Sequence, residues 1–69
     1  MAYDDILPTR LRMERARIKE TQTQVADSVG ITTAAISDYE GGNRMPTLQT
    51  LVKLADYYGA SLDYLVGHV

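Results

Sequence analysis

Thr32, Thr33, Ser37 and Asp38 are the residues whose types and spacing suggest chemistry. They are short and polar, and helical spacing gathers them on one side, away from Ile36 and Tyr39. A helix that buries one side and offers hydroxyls and a carboxylate on the other suits insertion into a DNA major groove. Catalysis has much less to draw on. The single histidine, His68, stands beside the C-terminus, so no histidine-based triad or two-histidine metal site can form within one chain. There is no cysteine, which excludes disulfides and thiolate metal sites. The acids are scattered as helix caps and surface charges. Gly41-Gly42 is too short to cradle a phosphate and lacks a following Lys-Ser or Lys-Thr. The expectation is no enzyme, no cofactor, no metal and no small-molecule ligand.

The stretch Gln22 to Gly42, QTQVADSVGITTAAISDYEGG, reads as helix, glycine turn, helix. Val25 and Val29 share one face of the first helix, and Ile36 and Tyr39 one face of the second. Ala26 is small where two helices must approach, and Gly30 falls where the turn needs a positive φ. Around this unit the sequence predicts five helices and no strands. Helix 1 runs roughly from Ile6 to Lys19, capped by Asp5, with Pro8 in its first turn and Leu7, Leu11 and Ile18 on one face. Thr21 caps helix 2, roughly Gln22 to Val29, and Gly30 ends it. Thr32 caps helix 3, roughly Thr33 to Tyr39, and Gly41, Gly42 and Asn43 make a loop. Thr47 caps helix 4, roughly Leu48 to Tyr58, whose apolar stripe is Leu48, Leu51, Leu54 and Ala55. Gly59 ends it, Ser61 caps helix 5, and Leu62 and Leu65 extend the core. No segment repeats or is low in complexity.

Sixty-nine residues, 45% of them hydrophobic, allow one small core. Without disulfides, stability must come from well-packed helices, a partner chain, or both. No apolar run is long enough to cross a membrane. The start, MAYDDILPTR, lacks the basic-then-apolar order of a secretory signal, so a cytoplasmic protein is expected. The net charge of −2 argues against indiscriminate nucleic-acid binding, which rests on phosphate neutralisation. The charge is unevenly spread. Arg10, Arg12, Arg15, Arg17 and Lys19 crowd together, Arg44 follows helix 3, and Asp4, Asp5, Asp56 and Asp63 lie towards the ends. Two readings stand open for the helix 1 cluster: a basic face towards DNA, or a solvated face with Glu14 and Glu20 paired locally.

The segment TQTQVADSVGITTAAISDYEGGNRMPTLQTLVKLADYYGASLDYLVG resembles the Cro and phage-repressor helix-turn-helix family, the lambda-repressor-like or xenobiotic-response-element type. The glycine turn, the Tyr39-Glu40 pair, Pro46 and the SLDYL ending stand at family spacing, and the resemblance covers residues 6–66. It implies an all-α, compact five-helix DNA-binding domain over residues 1–69, with the helix-turn-helix at helices 2 and 3. It also implies that Thr33, Ala34, Ser37 and Asp38 face bases or nearby backbone. Gln22 would reach phosphates, with Thr21 and Thr32 beside it, and Asn43 and Arg44 would touch phosphates from the loop. Arg15 and Glu40 match an ion pair between helices 1 and 3. Two departures stand out. Lys19 and Glu20 occupy positions that are often glycine and leucine, which removes an apolar contact. Asp38 stands where many relatives have a neutral or basic group; it could accept from cytosine N4 or pair with Arg44.

The expected function is transcriptional regulation, as a repressor on an inverted-repeat operator, with double-stranded DNA and a second copy of the chain as partners. Tyr57, Tyr58, Tyr64, Val66 and Val69 are expected to keep some exposure, and Tyr58, Tyr64, Val66 and Val69 to form the dimer interface. With little sequence after helix 5, no effector or cleavable domain is expected, and control would lie in concentration, promoter competition or a partner. The alternative is an interaction module, such as an antitoxin or scaffold, that kept the fold.

Overall fold

A hydroxyl opens each of the four later helices and a left-handed glycine closes it. The computed structural model describes residues 3–68 and forms α1 (Tyr3–Arg17), α2 (Gln22–Val29), α3 (Thr33–Gly41), α4 (Leu48–Tyr58) and α5 (Leu62–Val66). No strand occurs among the described residues. The side-chain oxygens of Thr21, Thr32, Thr47 and Ser61 accept from backbone N–H groups three residues on, at 3.0–3.2 Å. Those N–H groups lack partners inside their own helices, so each cap satisfies an orphan donor. Thr21 adds the reciprocal half, because its own N–H donates to Gln24 Oε1 at 2.7 Å.

Helix α1 departs from the sequence reading at both ends. It begins at Tyr3, so Asp5 lies inside it and is not its cap, and Pro8 falls in the second turn. The proline removes only the one bond that its N–H would have made. The helix stops at Arg17, and Lys19 takes a left-handed φ of 59°. Its N–H bonds to the Ala16 carbonyl at 3.1 Å, and Glu20 N–H bonds to the Arg15 carbonyl at 3.3 Å. The joint thus adopts a glycine-type turn without glycine. Helix α3 runs on to Gly41, past the expected end at Tyr39, and closes at Gly42, which takes a left-handed φ of 75°.

Leu7 and Leu11 of α1 meet Val25 and Ala26 of α2, Ala35, Ile36 and Tyr39 of α3, Leu51, Leu54, Ala55 and Tyr58 of α4, and Leu65 of α5. Each fully buried leucine or isoleucine among them contributes roughly 1.5–3 kcal/mol. Leu48 does not join them. It is 70% exposed, so the α4 stripe begins at Leu51. Periodicity marks a face, but only a facing element buries it. Tyr58 corrects the expectation in the other direction, being 3% exposed and part of the core. Burial, followed by the nearby Glu40 charge, pushes its phenol pKa up.

The α1 arginines direct donors at other parts of the fold, while Arg12 and Arg17 stay exposed to solvent. Arg10 donates to the Tyr64 carbonyl in α5, with its guanidinium 4.5 Å above the Tyr64 ring. Arg12 donates to the Glu40 carbonyl near the end of α3. Arg17 Nη2 reaches the Tyr58 carbonyl, the last of α4, at 2.6 Å. Arg15 Nη1 reaches the Glu20 carbonyl just past α1 at 3.0 Å. The last carbonyls of a helix lack partners within that helix and carry the negative end of its dipole, so these cations cap three other helices and the α1–α2 joint, Arg10 sharing the Tyr64 carbonyl with Gly67 N–H. Glu14 pairs locally, with Arg17 at 3.0 Å, whereas Glu20 accepts from the Tyr57 hydroxyl.

Candidate nucleic-acid interface

The outward face of α3 is defined by what holds its inward face. Ala35, Ile36, Tyr39 and Glu40 are buried, a stripe one residue-pair wide and one turn apart. Thr33, Ala34 and Ser37 are left exposed on the opposite side, with Asp38 half-exposed at its edge. The glycine turn sets the angle of the two helices: Gly30, at φ 85°, and Ile31 both donate to the Ala26 carbonyl, at 2.9 and 3.0 Å. Ala26, 1% exposed, keeps the α2–α3 crossing close.

Glu40 locks this face to the rest of the molecule. Its carboxylate, 4% exposed, receives the Arg15 fork, Nε to Oε2 at 2.7 Å and Nη2 to Oε1 at 2.9 Å. Gln22 Nε2 adds a third donor to Oε1 at 3.2 Å. The hydrogen bond to Glu40 raises the Arg15 pKa, and partial burial opposes it. A buried ion pair of this kind fixes geometry more surely than it adds net stability. Gln22 is therefore partly engaged by Glu40, and one of its amide N–H groups and its side-chain oxygen are left over.

The remaining candidates lie around the same face. Thr33 Oγ1 is 3.4 Å from the Thr23 hydroxyl, which joins the first turns of α2 and α3. Thr23 was not singled out from sequence, although its exposed place right after Gln22 was a usable signal. The hydroxyls of Thr21 and Thr32 accept as caps, which leaves each O–H proton free to donate. Asn43 is exposed, and its backbone N–H closes the end of α3 on the Asp38 carbonyl at 2.9 Å. Arg44 Nε lies 3.7 Å from Asp38 Oδ2, with the guanidinium 5.4 Å from the Tyr39 ring centre.

The expected dimer surface is only partly retained. Tyr58 is withdrawn from it by burial, as the core packing requires. Tyr64 and Val66 are half-buried on α5, and Val69 lies outside the described residues. Among the described residues, no group of His, Cys, Asp or Glu is arranged to hold a metal ion, and no helix is long and apolar enough to cross a membrane.

Comparison with known proteins yields a consistent set of relatives. A family model described as helix-turn-helix matches residues 11–65. The chain is similar to the cryptic phage CTXphi transcriptional repressor RstR of Vibrio cholerae, 43% identical over 58 residues, which is 84% of this chain and 52% of the relative. It is also similar to the uncharacterized HTH-type transcriptional regulator YobD of Bacillus subtilis, 40% identical over 84% of this chain and 52% of the relative. The HTH-type transcriptional regulator ImmR of Bacillus subtilis is 38% identical over 88% of this chain and 48% of the relative. The chain spans about half the length of these relatives.

Proposed function

This chain belongs to the Cro/C1-type helix-turn-helix family, and from that premise we propose that it is a non-enzymatic, sequence-specific DNA-binding regulator of transcription that works in the cytoplasm. The observation that carries this reading is the α3 surface, locked from behind by Glu40 and Arg15 while Thr33, Ala34 and Ser37 stay exposed. In this reading α3 enters the major groove, and those residues with Asp38 meet base edges. The start of α2 lies along the backbone. Its first N–H groups and the Thr21 hydroxyl favour a phosphate, as helix N-termini do. Thr32, Asn43, Arg44 and the free amide N–H of Gln22 add further phosphate contacts.

The regulator acts as a repressor on an inverted repeat, with two copies joined through Tyr64 and Val66 of α5. Their recognition helices would stand about 34 Å apart, one DNA turn. Sedimentation of the protein with and without a palindromic site tests this dimer; one copy per palindrome would overturn it. The net charge of −2 supports a second reading, an antitoxin or scaffold that kept the fold without operator binding. A salt titration of DNA binding separates the two. A true binder loses affinity steeply with salt, and Arg44→Ala lowers the log–log slope by about one. Absence of salt-dependent binding would favour the scaffold.

A further inference from the structure

The exposed side of α3 has a chemical bias that major-groove docking alone does not explain. Asp38 is its single ionised group, and α3 contains no arginine, lysine, asparagine or glutamine. The helix therefore lacks the forked cation that reads guanine O6 and N7, and the amide that reads adenine on two atoms. An ionised carboxylate only accepts hydrogen bonds. In the major groove the amino groups that donate are cytosine N4 and adenine N6, whereas guanine and thymine present O6, N7 and O4 acceptors. Adenine places its N7 lone pair beside its amino group, which a carboxylate cannot satisfy. Cytosine carries no such acceptor on that edge.

Arg44 makes a carboxylate tolerable among phosphates. Its Nε stands 3.7 Å from Oδ2, and its guanidinium rests over the Tyr39 ring, itself part of the core. The cation, 56% exposed, thus lies on one side of Asp38 and partly offsets its charge. Asp38 keeps 43% of its side-chain surface exposed, and no hydrogen bond engages Oδ1 among the described residues. We propose that Asp38 is a specificity-determining residue that selects a cytosine in each operator half-site, with Arg44 as the positioning residue that partly offsets its charge. This rests on the DNA-binding reading above.

The test is selection of bound duplexes from a random pool by the full chain and by Asp38→Asn and Asp38→Ala. The wild type is expected to return a motif with a cytosine at one position per half-site. Asp38→Asn should exchange that cytosine for adenine, because an amide matches N6 and N7. Asp38→Ala should lose the preference there and keep the rest of the motif. On the selected site, replacing that cytosine should weaken wild-type binding about tenfold. This last measurement needs no variant and holds even if a variant folds poorly. A motif unchanged in both variants, or no loss on replacing any half-site cytosine, overturns the Asp38 assignment alone. A wild-type protein that selects no motif overturns the DNA-binding reading, and this assignment with it.

Discussion

Helix α1 carries four arginines and α3 carries none, yet α3 has the face that remains free to meet another molecule. Each α1 arginine has at least one donor directed at a carbonyl or carboxylate of this chain. The outward hydroxyls of α3 reach no further than the Thr33–Thr23 contact at 3.4 Å, and its outward residues are short enough to let a backbone approach closely. Formal charge in a sequence is therefore not the same as charge available to a partner. In a small protein with no disulfide, the cations that close helix ends are already employed in holding the fold.

The contrast is tested hardest at Glu40. Replacing it with alanine leaves the Arg15 guanidinium, 24% exposed, without its partner. The expected loss is about 3 kcal/mol, the lower end for a broken buried pair, since Arg15 is not fully buried. For a domain of this size the melting temperature should fall by more than about 10 °C. Asp38→Ala, on the exposed face, should cost less than about 1 kcal/mol. Equal small shifts in a thermal melt would mean that the two regions do not differ as described.

Arg17→Ala should remove the bond to the Tyr58 carbonyl and lower stability by about 1 kcal/mol. It should leave the salt dependence of DNA binding unchanged, unlike Arg44→Ala. A reduced salt slope with Arg17→Ala would return α1 to the binding surface and end the comparison. Between the two regions lies the α1–α2 joint, where Lys19 holds a left-handed backbone. Lys19→Gly should stabilise by about 0.5–1 kcal/mol in denaturant unfolding, because glycine removes the Cβ strain. A loss of stability would show that the lysine side chain supports the turn.

The smallest stability effect belongs to the face itself. Thr33→Ala and Ser37→Ala should each shift unfolding by less than about 0.5 kcal/mol. Each should nonetheless change base preference at one position, because a good base contact is worth about 1–3 kcal/mol. An unchanged motif in binding-site selection would leave the exposed face without its assigned role.

Legibility from sequence follows the range of each interaction. The caps Thr21, Thr32, Thr47 and Ser61 and the closing glycines Gly30 and Gly59 act within a few residues, so their positions can be read directly. The outward placement of Thr33, Ala34 and Ser37 follows from helical spacing. The acceptors of Arg10, Arg12 and Arg17 could not be read, because they are backbone carbonyls 54, 28 and 41 residues away. Every residue has a carbonyl, so nothing in the sequence distinguishes the chosen one. The Glu20–Tyr57 contact joins two side chains 37 residues apart, and only the packing of α4 beside the α1–α2 joint brings them together.

Local chemistry in the sequence determined where helices α2 to α5 begin, where α2 and α4 end, that two of them form a helix-turn-helix, and which side of α3 carries hydroxyls. Tertiary structure alone decided that Tyr58 is buried while adjacent Tyr57 is only partly so, that Leu48 stays exposed, and which distant carbonyls the α1 arginines cap. Capping and periodicity are set by neighbours along the chain. Burial and long-range hydrogen bonding depend on which surfaces the helices present once packed, and that is a property of the assembled core.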